Sequence, residues 1–142
     1  MARKEAREIY CCRIDEDELN VFLASTEKGG IRIGLALGTD ASPVDFFAGA
    51  FPDARRTEDF ERNATLARAV KDSLAGRPAL KEPRSFDISP SDFQRKVLEG
   101  LERIPFGGLV SYGQLAVMIG RPGSARAVGQ ALGANPLPLI FP

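Results

Sequence analysis

The sequence has no histidine and only two cysteines. The missing imidazole excludes Ser–His and Cys–His catalysis within these 142 residues, and most zinc sites with it. The cysteines, Cys11 and Cys12, are neighbours in "IYCCRID". Adjacent strand residues point to opposite faces, so the pair cannot easily bridge or share a metal; one of them is expected to be a small buried hydrophobe. No metal and no cofactor are expected. Charge excess is missing too: 19 Lys and Arg stand against 19 Asp and Glu, so any nucleic-acid role must rest on a local patch. No apolar run is long enough for a membrane span, and "MARKEAREIY" carries no signal-peptide pattern. The cytoplasm is the expected compartment, and a membrane is not expected as a partner.

What is present is ordinary globular composition, 44% apolar and 27% charged, at a length that fits one domain or two small ones. "EIYCCRID", "ELNVFLAST" and "GIRIGLALG" are strand-like runs separated by charged or glycine-bearing turns, which predicts a small antiparallel meander over residues 8–38. "NATLARAVKDSLAG" (63–76) sets Leu66, Val70 and Leu74 at helical spacing, with Ala67 beside them and Gly76 as the stop. Residues 1–82 therefore read as an α+β support domain, with no phosphate loop, acid pair or metal cluster. The stretch 76–90 holds three of the ten prolines and reads as the connection to the second half.

Residues 83–142 read as a helical domain. "SPSDFQRKVLEGLERIPFGG" places Phe93, Val97, Leu101 and Ile104 on one stripe, with Ser89 or Ser91 as cap and Pro90 suited to an early position. "SYGQLAVMIG" opens on a capping box, Ser111 to Gln114, and closes at Gly120. After "RPG", "SARAVGQALGANP" opens a third helix with Ser124 as the expected cap, over by Pro136. Two short helices joined by a glycine-containing turn, about 111–134, form a helix-turn-helix pattern. The same pattern fits an ordinary helical core. The third helix adds Ala125, Ala127, Gly129 and Ala131 around a single Arg126. Small side chains permit close backbone approach, and one long cation among them suits a minor-groove reader. A transcription-factor-like helix-turn-helix is the rival reading. Neutral charge and a single-arginine face count against it, because major-groove readers bring several polar side chains to base edges.

"FQRKVL…IPFGGLVSYGQLA…ARAVGQALGANPLPLIFP" resembles the O6-alkylguanine-DNA alkyltransferases, the methylated-DNA–protein-cysteine methyltransferases, across roughly residues 93–142. Leu98 stands where the family's "FQxxVW" pattern has Trp. The resemblance implies an α+β protein: a ribonuclease H-like N-terminal domain, then a winged-helix-like domain bearing the helix-turn-helix, incomplete at its C-terminus. It implies direct, stoichiometric repair of O6-alkylguanine in double-stranded DNA by a monomer, with minor-groove binding and base flipping. Arg126 is then the finger that fills the gap left by the flipped base, a step that costs a few kcal/mol of stacking and pairing. Tyr112 matches the tyrosine at the 3′ phosphate. Ala125, Ala127 and Gly129 match the small residues of the groove-facing helix. Asn135, Pro136, Pro138 and Pro142 match the active-site turn, where the Asn135 side chain can tie down a segment with few free N–H groups.

In the family this turn runs directly into Cys-His-Arg. The alkyl acceptor is thus expected at position 143, immediately after Pro142, with its activating histidine at 144; no catalytic residue is expected among the 142. A thiol of pKa about 8.5 needs such a partner to ionise at neutral pH. Selenocysteine encoded by UGA is the favoured explanation for a stop at that codon, against a nonsense change, an error or a designed fragment. The chain as given is expected to be inactive. It is also expected to expose Leu137 through Phe141 and so to be poorly soluble or partly unfolded. Two other outcomes stay open: a non-catalytic, alkyltransferase-like lesion-binding module, and a nonfunctional fragment.

Overall fold

The computed structural model describes residues 7–77, 87–88, 90–105 and 108–138, which fall into two compact units, Met1–Ile88 and Ser89–Pro142. The border expected at 82/83 lies outside the described residues, as do Ser89 and the run 139–142.

In the N-terminal unit the alternating runs form the expected meander: β1 (Glu8–Glu16), β2 (Leu19–Thr26) and β3 (Gly29–Leu37). Cys12 lies opposite Leu23, and Phe22 opposite Gly34. Asp17 makes the first turn at φ 55°, a left-handed conformation that Asp tolerates. The sheet is not purely antiparallel, as the sequence led one to expect. A fourth strand, β4 (Arg55–Glu58), pairs parallel to β1, giving the order β3-β2-β1-β4. "RRTE" has no apolar alternation to announce a strand; it pairs because β1 offers an open edge of backbone donors and acceptors. A four-residue helix, α1 (Pro43–Phe46), capped by Ser42, also went unsignalled.

Both faces of this sheet are covered. On one, Ile9, Cys11, Phe22, Ala24, Ile31 and Phe47 form a buried cluster. The Phe46 ring stacks on Phe22 at 3.9 Å and lies across Gly34, where a Cβ would come within 2.2 Å of it. The other face carries α2 (Ala64–Leu74), the helix read at 63–76, with Leu66, Ala67, Ala69 and Val70 buried. Leu66 packs on Gly30. Asn63, fully buried before α2, accepts from Ser25 Oγ at 2.7 Å and donates to the Tyr10 and Asp59 carbonyls at 3.0 and 2.9 Å. Side chains alternate along β1, so both cysteines are buried, one on each face, rather than only one.

The C-terminal unit is built on α3 (Asp92–Glu102), α4 (Tyr112–Met118) and α5 (Ala125–Gly133). Ser91 caps α3 through the Gln94 N–H at 3.1 Å, so Pro90 precedes the cap instead of occupying the first turn. Val97, Leu98 and Leu101 are buried and Phe93 and Ile104 half-buried, so Leu98 works as a core residue where the family pattern has Trp. Gly100 is where α3 meets α4: a Cβ there would stand 2.7 Å from Ile119 Cγ2 and 2.9 Å from Leu115 Cδ1. The Ser111–Gln114 capping box is formed in both directions. Ser124, by contrast, makes no side-chain cap; its φ of −100° and ψ of 26° depart from the extended geometry that aims a cap oxygen at the helix amides. Leu137, expected to be exposed, is fully buried; Leu139 to Phe141 lie outside the described residues.

Candidate nucleic-acid interface

The 111–134 segment folds as two helices and a rigid turn. At the end of α4, Gly120 adopts φ 75° and donates to Val117 at 3.0 Å, while the Arg121 N–H reaches back to Ala116 at 2.8 Å. These two bonds satisfy carbonyls that the last helical turn leaves open. Residues 121–124 then form a type II turn: Pro122 fixes the first corner, Gly123 supplies φ 84°, and the Ser124 N–H donates to Arg121 at 3.2 Å. Arg103 ties α3 to the α4 end through the Met118 carbonyl at 2.9 Å, and Gln94 ties α3 to the α5 end through Ala134 at 3.3 Å.

Tyr112 is the first residue of α4 and is 56% exposed. Its ring edge lies over Gly129 of α5: a Cβ on Gly129 would sit 3.1 Å from Cε2 and 3.2 Å from Cδ2. Gly129 is three residues after Arg126, hence its neighbour on the helix surface. Fully buried Val128 anchors the opposite side of α5, leaving Arg126 exposed. Tyr112, Gly129 and Arg126 are thereby gathered into one patch. Ala127 is exposed on its flank, while Ala125 is half-buried and turned toward the core.

Below α5 the chain turns through Asn135. Its side-chain oxygen accepts from the Leu137 N–H at 3.0 Å, the one amide between Pro136 and Pro138, both half-buried. Pro142 is outside the described residues. Gln130, missed from sequence, is exposed one helical turn beyond Arg126; the 3.6-residue period applied to Arg126 finds it. The charge pattern is also local. From Arg103 to Pro142 the chain has three arginines, Arg103, Arg121 and Arg126, and no Asp or Glu, although the whole chain is neutral.

The N-terminal thiols are chemically quiet. Burial pushes Cys11 up to about 11, with Glu58 adding and Arg56 opposing. Burial likewise pushes Cys12 up to about 12, helped by Cys11, Glu58 and Asp59. Among the described residues no group of three or more His, Cys, Asp or Glu could hold a metal ion, and no helix is long and apolar enough to cross a membrane.

Comparison with known proteins agrees with this geometry. Residues 92–142 match the family model of the 6-O-methylguanine DNA methyltransferase, DNA binding domain. A methylated-DNA–protein-cysteine methyltransferase of Salmonella typhimurium is 42% identical over 92 residues, which cover 61% of this chain and 54% of that protein. Its namesake in Mycolicibacterium paratuberculosis is 50% identical over 56 residues, covering 39% of this chain and 34% of that one. The chain thus spans about half or less of these relatives' length. The crystal structure of Mycobacterium tuberculosis O6-methylguanine methyltransferase superposes with a TM-score of 0.65 at 28% identity, covering 94% of this chain and 75% of that one. Mycobacterium tuberculosis OGT in complex with DNA gives 0.64 at 29% identity, covering 95% and 74%. Residues 92–142, which carry the helix-turn-helix and the Tyr112–Gly129–Arg126 patch, are thus the part of this chain that is similar to the DNA binding domain of 6-O-methylguanine DNA methyltransferase.

Proposed function

We propose that α4 and α5 bind double-stranded DNA containing O6-alkylguanine from its minor groove and hold the damaged base out of the stack. Arg126 fills the vacated space, and Tyr112 meets the phosphate of the extruded nucleotide. Ala127 and Gly129 let α5 approach closely, with Ala125 supporting the same surface. Asn135 with Pro136 and Pro138 shapes the turn toward the acceptor. The alkyl group passes to a Cys or Sec at position 143: the thiolate or selenolate attacks the alkyl carbon, the bond to guanine O6 breaks, and the leaving guanine takes up a proton. Cys11 and Cys12 cannot replace that acceptor, because both are buried and protonated at neutral pH. The 142 residues are the DNA-handling part, binding without transfer. The protein acts as a cytoplasmic monomer, its two units ribonuclease H-like and winged-helix-like.

The observation that carries this reading is the Tyr112 ring laid on Gly129, beside the exposed Arg126. An aromatic and a cation brought together on a small-residue helix suit a surface that must displace a base and occupy its place. The test is fluorescence anisotropy on two duplexes that differ only by one O6-methylguanine, with a labelled methyl group followed in parallel. Wild type is expected to prefer the lesion and to leave the methyl on DNA. Arg126→Ala is expected to lose the preference. An unchanged preference in that variant refutes the finger assignment.

A further inference from the structure

We infer that Arg121 contacts the DNA phosphate backbone and supplies a lesion-independent share of affinity; this rests on the proposed DNA-binding role of α5. The starting point is a mismatch of size. An α-helix with its side chains is about 10–12 Å across, whereas the minor groove of B-DNA is about 6 Å wide. A helix that inserts its first residues cannot carry its whole width inside; the turn just before it meets the groove walls, which are phosphates. In this chain that turn is 121–124, held on one side by the Arg121–Ala116 bond and on the other by the Ser124–Arg121 bond. Arg121 is therefore presented on a fixed backbone, next to Pro122.

Its side chain is exposed and unengaged. The N-terminal unit's arginines are largely committed: Arg13 to Asp15, Arg56 to the Val44 and Phe51 carbonyls, Arg77 to Asp72. In the acid-free stretch, Arg103 is committed to Met118. The Arg121 guanidinium has no partner among the described residues, and no carboxylate between 103 and 142 neutralises it. A neutral chain gains no attraction to DNA from bulk charge, so each uncompensated cation at the contact surface matters. Arg126 is directed to the base stack. Arg121 is left for the backbone.

The experiment measures binding of the full 142-residue chain to the lesion and lesion-free duplexes between 50 and 200 mM salt. Arg121→Gln is expected to weaken both by the same factor and to flatten the slope of log K against log salt by about 0.9. The gap between wild type and variant then narrows about 3.5-fold across that salt range. Arg121→Lys, which keeps the charge, is expected to restore the slope, something a purely structural role would not do. An unchanged slope in Arg121→Gln, a loss confined to the lesion duplex, or a failure of Arg121→Lys to restore it overturns the inference. Wild type that binds neither duplex overturns the proposed function, and this inference with it.

Discussion

Gly129→Ala separates stability from recognition, because its two effects have opposite signs. Gly129 lies mid-way along α5, and replacing a helical glycine by alanine stabilises a helix by about 1 kcal/mol. The new methyl would stand 3.1 and 3.2 Å from the Tyr112 ring, where ordinary contact is 3.4–4 Å. The ring must therefore move by a few tenths of an ångström. Tyr112 is 56% exposed and free to do so, at a cost below the propensity gain. The expected net is about 0.5–1 kcal/mol of added stability, or roughly 2–8 °C in Tm. Recognition goes the other way: the methyl displaces the ring from its place against α5. A loss of about tenfold in lesion-duplex affinity, about 1.4 kcal/mol, is expected. Circular-dichroism melting and anisotropy on one preparation decide it. A lowered Tm, or wild-type affinity with a raised Tm, refutes the reasoning.

Asn63→Ala removes three buried hydrogen bonds at about 1 kcal/mol each and should lower Tm by roughly 12–24 °C; a drop under about 4 °C in a thermal melt contradicts the buried network. Ser111→Ala deletes the oxygen that receives the Gln114 N–H at 3.0 Å, and should cost about 1 kcal/mol. Since α4 begins at Tyr112, fraying there should also weaken lesion binding, and Ser111→Thr should restore both. Cys11 and Cys12 should resist an aromatic disulfide reagent at pH 8 until the chain is unfolded. Their raised values mean that above the ordinary 9.0 the unfolded chain releases protons the folded one keeps. Stability should hold below pH 9 and fall as pH rises toward about 11–12, less so in a Cys11→Ala/Cys12→Ala variant measured by denaturant melts.

The parts of this fold that could be read in sequence are those whose signal is local. Period-2 runs gave β1 to β3, the stripe through Val97 and Leu101 gave α3, and Ser111 with Gln114 marked the start of α4. Strand β4 was illegible because its reason for existing is the edge of β1, a long-range partner. Ser124 misled because residue type does not fix the backbone angle on which capping depends. At the site, the motif placed Tyr112, Arg126 and Gly129 in order along the chain, but only packing lays the ring on the glycine. Gln130 and the unengaged Arg121 were overlooked because helical phase and ion pairing belong to the folded surface.

The burial of adjacent cysteines on opposite faces of β1 has a consequence for how the chain assembles. The meander needs only two tight turns, which hairpins close in about 1–10 μs. The cover over Cys11 includes Phe47, and the strand beyond it, β4, pairs with β1; both arrive on the 38–58 segment, so they close together and later. The face of Cys12 belongs instead to α2, further along the chain. One dipeptide thus reports two separate closing events, and pulsed thiol labelling during refolding would time each side of the sheet from neighbouring atoms.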